Sequence, residues 1–159
     1  MNINKFTQKS MEAVQNCEKL AYEYGNQQID ELHFLCSLLT LDDSLILKLV
    51  TKMGVQGDMF VNEVKQALEK LPKVSGGQLY ISNDLNKVLL SGEDEAKAMG
   101  DEYVSVEHLF LALIKNPSKE VKELFRTYNI TRERFLQALS TVRGNQRVVS
   151  DNPEATYDT

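Results

Sequence analysis

Apolar residues recur along this chain at intervals of three and four positions, the spacing that places side chains on one face of an α-helix. The segment after Thr7 shows the pattern with Met11, Val14 and Leu20, and Gly25 follows it as a helix stop. Alternation with a period of two never persists beyond a few residues, so the strand content should be near zero. The pattern predicts an all-α fold of eight helices, near residues 7–25, 31–41, 44–54, 58–70, 82–99, 105–114, 118–128 and 131–142.

The second half of the chain repeats the first at an offset of 75 residues. Residues 6–71 align with residues 81–146 without a gap, and the alignment pairs Phe60 with Phe135. Few positions are identical, but the apolar and capping positions recur in the same order, which is typical of a duplicated unit. We therefore predict two four-helix repeats, about 6–71 and 81–143, related by a pseudo-two-fold axis, with both phenylalanines buried. Their seam should form an apolar groove of the kind that binds peptides.

Two segments do not follow the helical pattern. Residues 72–80 join the repeats and contain the flexible pair Gly76 and Gly77, so we interpret them as an inter-repeat linker. Residues 144–159 have few apolar side chains and many turn formers, so this tail should be flexible and unable to fold on the core by itself. We interpret the tail as a linker toward a further domain.

Composition restricts the possible partners and compartments. The 159 residues are 42% hydrophobic and carry a net charge of −5, with Lys and Arg scattered singly, which disfavours nucleic acid as a partner. No apolar run approaches the ~20 residues that a membrane span requires, and the N-terminus lacks the apolar segment of a signal peptide, so we expect a cytoplasmic protein without membrane contact. Cys17 and Cys36 lack metal-site or redox-motif spacing and are predicted to be small core residues.

His33 and His108 occupy equivalent positions in the two repeats, three residues after the predicted helix caps Asp30 and Ser105. They could form a shared metal pair or act as acid–base residues, or they could serve helix-start geometry and packing. We favour the structural role, because the two histidines belong to different repeats and no carboxylate–histidine cluster accompanies either in the sequence. The phosphate-binding, hydrolase and zinc-protease motifs are absent, so we predict no catalytic site, cofactor or metal in this fragment.

Two sets of residues resemble a known family. The segments ELHFLCSLL at 31–39 and EHLFLALI at 107–114 resemble the Clp N-terminal repeat domain. The segments SGGQLYIS at 75–82 and RGNQRVVSDNPEATYD at 143–158 resemble ClpB-type disaggregases, in which such a stretch leads into the first AAA+ ATPase module. The resemblance covers essentially the whole chain and implies a fragment of a longer protein whose nucleotide-binding motifs lie beyond Thr159.

The resemblance also implies a function. Proteins of this type are hexameric chaperones, driven by ATP with Mg²⁺, that extract polypeptides from aggregates in cooperation with a DnaK-type chaperone. The fragment itself would be a monomer without cofactors, and it would engage unfolded or aggregated polypeptide and pass it to the ATPase ring. The alternative is a docking module for an adaptor protein, which would bind one folded partner through charged contacts.

The resemblance implicates three surface residues in substrate engagement, and these match Thr7, Asp101 and Glu107. Each also has a structural interpretation: Thr7 is a helix N-cap, Asp101 is a turn residue after a glycine, and Glu107 is an acidic residue in a first helical turn. In the first repeat the corresponding DELHF segment departs from the family pattern, so we assign no binding role to Glu31 or Leu32. We expect the three substrate-binding candidates to form a polar rim beside the seam groove.

Overall fold

The computed structural model describes residues 3–144 and 146–154, and within them the chain forms eight α-helices. All eight agree with the sequence prediction to within about two residues at each end. A 3₁₀ turn precedes them at Ile3–Lys5. The helices are α1 (Gln8–Glu23), α2 (Glu31–Thr40), α3 (Leu45–Lys52), α4 (Gly57–Glu69), α5 (Asn83–Ala98), α6 (Val106–Lys115), α7 (Lys119–Thr127) and α8 (Arg132–Arg143).

Polar caps explain where several of these helices begin. The Thr7 hydroxyl accepts the N–H of Ser10 at 3.2 Å, which satisfies one of the first-turn donors of α1. Ser82 does the same for α5 by accepting the N–H of Leu85 at 3.0 Å. Thr7 and Ser82 are equivalent positions of the two repeats, so the duplication preserves the cap as well as the apolar face.

The last residue of the predicted linker, Tyr80, takes part in a short sheet. Strand β1 (Gln28–Ile29) pairs in parallel with strand β2 (Tyr80–Ile81), and an isolated bridge joins Phe6 to Val104 in the same way. The linker is thus regular at its end, which the sequence analysis does not predict, because a two-residue strand is too short to show alternation. The segment leading into each repeat therefore pairs with the other repeat.

The core is continuous through both repeats. Phe60 and Phe135 are both fully buried, which confirms the prediction made for this pair. The edge of the Phe60 ring meets Tyr128 with centroids 5.0 Å apart, and Phe135 packs on Phe110 at 4.7 Å. The two cysteines are buried and unbonded to each other, as predicted for core residues. No helix among the described residues is long and apolar enough to cross a membrane.

Residues 146–154, which we call the strap, lie against the helical body. The Val148 side chain is fully buried, and its carbonyl accepts the N–H of Glu102 at 2.8 Å. At the other end, the carbonyl of Asp151 accepts the N–H of Gln8 at 2.7 Å. The expectation of a flexible tail is therefore wrong for these residues, because the buried Val148 and Pro153 side chains act together with backbone and carboxyl hydrogen bonds. Residues 155–159 of the predicted tail lie outside the described residues.

Candidate functional site

Each repeat begins its second helix with a histidine that closes a capping box. In repeat one, the Asp30 N–H donates to His33 Nδ1 at 2.8 Å, and Nε2 contacts the Asn26 amide oxygen at 2.9 Å. In repeat two, the Ser105 N–H donates to His108 Nδ1 at 2.9 Å. An Nδ1 that accepts a backbone N–H leaves the proton on Nε2. The structural interpretation of both histidines is therefore confirmed.

The histidine of repeat two donates to a carboxylate, which contradicts the expectation that no carboxylate–histidine cluster accompanies either histidine. His108 Nε2 lies 2.6 Å from Asp101 Oδ2, while Asp101 Oδ1 accepts the guanidinium of Arg143 and the N–H of Val148, the latter at 3.0 Å. Burial by itself would raise the pKa of Asp101, but the hydrogen bonds from His108, Arg143 and Val148 outweigh it and lower the pKa to about 2. Asp101 is therefore held as an anion at the centre of this cluster.

Arg143 connects Asp101 to Glu107. Its Nη1 atom lies 3.4 Å from Glu107 Oε2, and the side chains of both residues are almost fully buried. The other oxygen of Glu107, Oε1, is buried without a hydrogen-bond partner among the described residues. A guanidinium shared by two carboxylates neutralises only part of their charge, so this end of the domain retains an electronegative interior.

Thr7 reaches the same cluster through the strap. Its hydroxyl donates to Glu154 Oε2 at 2.8 Å, and the N–H of Val106 at the start of α6 donates to the same oxygen at 3.3 Å. Burial first, and then the charge of Glu107, raises the pKa of Glu154 to about 7. The arrangement can hold a carboxyl group. The Ser105 hydroxyl also lies 3.0 Å from His108 Nδ1, but both residues are fully buried in the capping box of α6, so this pair serves the helix start.

The structure brings Thr7, Asp101 and Glu107 into one network but does not expose them. Thr7 and Glu107 have no exposed surface and Asp101 is 8% exposed, so the expectation of an exposed polar rim is wrong for this conformation. Asp101 and Glu107 are linked by Arg143, and Thr7 is hydrogen-bonded to Glu154, whose pKa is raised by burial and by the charge of Glu107. The involvement of the three residues in substrate binding stays a prediction.

Sequence reasoning missed Arg143 and Glu154 as members of this site. A signal for Arg143 was present in the repeat alignment, where the offset of 75 pairs Arg143 with Leu68 and Glu107 with Leu32. Both leucines are buried core residues of repeat one. Opposite charges that replace two core leucines together predict a buried ion pair. Glu154 has no counterpart within repeat one, and no pattern in the sequence marks it.

An exposed apolar surface lies elsewhere, where the linker crosses from repeat one to repeat two. Val74 and Tyr80 are about half exposed, and Ile81 next to them is 42% exposed. Val74 and Tyr80 also line a cleft of about 160 Å³. Its remaining walls come from Leu71, Pro72, Asp30 and the polar residues 26–28. Its lining residues come from repeat one and the linker, so this cleft is not the groove predicted along the seam between the repeats.

Comparison with known proteins places the chain in a family. The profile described as Clp repeat (R) N-terminal domain matches residues 5–128. The chaperone protein ClpB of Nitratidesulfovibrio vulgaris is 38% identical over 164 residues, and that of Bacillus anthracis is 38% identical over 163 residues. Each alignment covers 99% of this chain and 19% of the relative, so the chain spans about a fifth of the length of these curated relatives.

Solved structures share the fold. The Hsp104 N-terminal domain from Candida albicans matches with a TM-score of 0.81 at 24% identity, covering 94% of this chain and 99% of that one. A ClpV N-domain in complex with a VipB peptide matches with a TM-score of 0.67 at 22% identity, covering 96% of this chain and 91% of that one. At these identities the likeness concerns the arrangement of helices alone.

Proposed function

Because this chain belongs to the Clp repeat N-terminal domain family, we propose that it engages unfolded or aggregated polypeptides and passes them to the ATPase ring of a ClpB-type disaggregase. The chain performs no catalysis of its own in this proposal. The whole protein would be a cytoplasmic hexamer that hydrolyses ATP with Mg²⁺ and cooperates with a DnaK-type chaperone. The ClpB relatives, which extend far beyond the matched region, support this assignment.

The observation that carries the proposal is the exposed apolar cleft beside the linker. Val74, Tyr80 and Ile81 present apolar surface there, and Gln27 and Gln28 of the cleft wall supply side-chain amides that can bind a peptide backbone. A cleft of about 160 Å³ accommodates one or two side chains and not a folded surface. Weak, sequence-tolerant binding follows, with a Kd on the order of tens of micromolar, or roughly −6 kcal/mol.

Thr7, Asp101 and Glu107 contribute a second, polar contact region in this proposal. They are close together but lie beneath the strap, so a substrate would reach them only after the strap moves. Glu107 offers a carboxylate oxygen without a partner among the described residues, which is a free acceptor for a backbone or lysine N–H of a substrate.

The proposal is tested by NMR titration of the whole chain with an unfolded polypeptide, reduced and carboxymethylated lactalbumin. We expect shifts at the cleft residues and a Kd that rises several-fold in Val74→Ser. Leu90→Ser is the matched control, since Leu90 is 43% exposed on α5 and Val74 is 49% exposed. Equal affinity of the Val74→Ser and Leu90→Ser variants for this polypeptide would remove the cleft from the account.

The polar region needs its own variant. Glu107→Gln keeps the size of the side chain and removes its charge, so it separates binding from packing. We expect weaker binding of the same unfolded polypeptide by Glu107→Gln, with the shifts at the cleft retained. Binding identical to that of the wild type would exclude Glu107 from substrate engagement.

Adaptor docking remains the second candidate, since a ClpV N-domain that shares the fold is solved with a VipB peptide, a complex that fits either function. An adaptor would bind as one folded partner, through charged rim contacts that weaken as salt increases. The unfolded polypeptide should instead bind the cleft with little salt dependence. Titration at low and high salt with each type of ligand distinguishes the two functions.

A further inference from the structure

The N-cap residue of α2 in repeat one, Asp30, carries a carboxylate, so this carboxylate comes from within the repeat. Asp30 Oδ1 accepts the N–H of Glu31 at 3.0 Å and the hydroxyl of Ser82 at 3.0 Å. It therefore satisfies a first-turn donor of α2 and holds the cap residue of α5. The offset of 75 places Ser105 at the Asp30 position of repeat two, where a hydroxymethyl group replaces the carboxylate.

In repeat two a carboxyl group from outside the repeat takes this place. Glu154 Oε2 accepts the N–H of Val106 and the hydroxyl of Thr7, at 3.3 and 2.8 Å. Val106 is the counterpart of Glu31 and Thr7 is the counterpart of Ser82, so the same two donors are satisfied in both repeats. We call this pair of donors, the Thr7 hydroxyl and the Val106 N–H, the carboxyl slot.

We propose that the strap is a displaceable intramolecular ligand of the carboxyl slot, with Glu154 as the group that docks and undocks. When docked, it completes the helix start of repeat two and covers Thr7 and Asp101. When undocked, it leaves the slot open and uncovers both residues. The slot is a property of the folded chain and does not depend on the proposed function.

The contacts of the strap explain why it is displaceable. The strap buries two apolar side chains among its described residues, Val148 and Pro153, while Val149 is 62% exposed. Its backbone is held by hydrogen bonds, and each of these is exchanged for water when the strap leaves. Docking also buries an unpartnered oxygen on Glu154, and the charge of Glu107 acts against the burial of an ionised Glu154. Such unsatisfied groups oppose docking and keep its net stability small.

The charges around Glu154 make docking depend on pH. Burial and Glu107 raise its pKa from an ordinary value of 4.5 to about 7 in the docked state. A raised pKa means that docking is strongest below 4.5 and weakens as the pH rises through about 7. The charged groups that face Glu154 or its network are Lys9 of α1, Asp42 and Asp43 after α2, Asp101 before α6, Glu107 and His108 of α6, and Arg143 of α8.

Amide hydrogen exchange of the whole chain tests the strap. The reporters are the N–H groups of Val106, Glu102 and Gln8, all of which donate to the strap. The Glu31 N–H is the matched control, because Asp30 fills the equivalent slot in repeat one. We expect Glu154→Ala to lower the protection factors of the three reporters at least about tenfold, with the control unchanged.

The conservative variant separates the strap from general destabilisation. Glu154→Gln supplies an acceptor oxygen that needs no proton, so it should keep the reporters protected equally at pH 6 and pH 8. Wild-type protection should fall about tenfold between these pH values, given a docked pKa of about 7. Reporters that are unchanged in Glu154→Ala, a Glu154→Gln variant that behaves like Glu154→Ala, or equal deprotection of the Glu31 control would each overturn the proposal.

Discussion

The two histidine clusters have the same capping geometry, but His33 contacts a neutral side chain whereas His108 contacts a charged one. In repeat one His33 contacts the neutral amide of Asn26, whose own N–H₂ donates to the carbonyl of Pro72 at 3.0 Å. In repeat two His108 contacts the carboxylate of Asp101, which is paired with Arg143. The first cluster is closed by the linker, and the second is closed by the strap.

This difference separates the positions that are the same in both repeats from the positions at which the repeats differ. The histidine cap is retained in both copies, since its geometry starts a helix in each. The leucines at 32 and 68 of repeat one are replaced by Glu107 and Arg143 in repeat two, so an apolar contact becomes a buried ion pair. Buried ion pairs add little stability compared with apolar contacts. Repeat two therefore carries buried charges at positions where repeat one has buried apolar side chains.

The largest effect should follow from removing the cation. Arg143→Ala leaves Asp101 and Glu107 buried without their shared partner, and we expect a loss of about 5 kcal/mol in the free energy of unfolding, the upper end of the range for broken buried pairs. Urea denaturation provides the measurement. The triple variant Asp101→Asn, Glu107→Leu and Arg143→Leu rebuilds the cluster of repeat one and should recover most of that loss. A triple variant as unstable as Arg143→Ala would contradict the equivalence of the clusters.

The aromatic core should respond equally in both repeats. Phe60→Ala and Phe135→Ala each remove a fully buried ring, and we expect each to lower the free energy of unfolding by about 4 kcal/mol through lost transfer energy and the cavity that remains. The two thermal or urea unfolding curves should nearly coincide. A difference between them larger than about 2 kcal/mol would show that the repeats do not share one core.

The equivalent caps should give a smaller and similar effect. Thr7→Ala and Ser82→Ala each remove an N-cap hydroxyl, at a cost of about 1 kcal/mol in the free energy of unfolding. Hydrogen exchange then separates them, since Thr7→Ala also removes a donor to Glu154 while Ser82→Ala does not. Only Thr7→Ala should deprotect the Glu102 N–H, which donates to the carbonyl of Val148 in the strap. Deprotection by both variants would indicate a global effect of the caps.

The remaining effect appears only in acid. The folded pKa of Asp101, about 2, lies below its ordinary value of 3.8, so its contribution to stability is present above 3.8 and is lost as the pH falls toward 2. Wild-type stability should therefore decrease over this range. The slope should be shallower in Asp101→Asn, whose amide corresponds to Asn26 and does not titrate. The free energy of unfolding is measured by urea titration at pH 4, 3 and 2. An equal decrease with pH in the wild type and in Asp101→Asn would show that the acid sensitivity arises from groups other than Asp101.

The helices could be predicted because each has a local signal. Thr7 and Ser82 cap helices whose apolar faces recur at helical spacing, and Gly25 and Gly100 end them with positive φ angles. Phe60 and Phe135 could be predicted as buried from the same periodicity. These signals lie within a few residues of the features that they specify.

The candidate site could be predicted only in part. Thr7, Asp101 and Glu107 were singled out by resemblance, and their burial was missed because it depends on Arg143 and the strap. Arg143 follows an apolar stretch of α8 and by itself indicates only a helix end with a favourable charge. The contact of Glu154 with Thr7 joins residues 147 positions apart through one carboxyl group. Such a contact has no periodicity, so the pattern of the chain does not encode it visibly.

The exchange of leading segments between the repeats has a consequence for folding during synthesis. The Ser10 hydroxyl of α1 donates to the carbonyl of Val104, which lies 94 residues further along the chain. Repeat one therefore leaves the ribosome before the residues that complete its first helix have been made. We expect α1 to pack on α2 first and its N-terminal end to lack these partners until repeat two emerges, so the nascent domain gains part of its stability late.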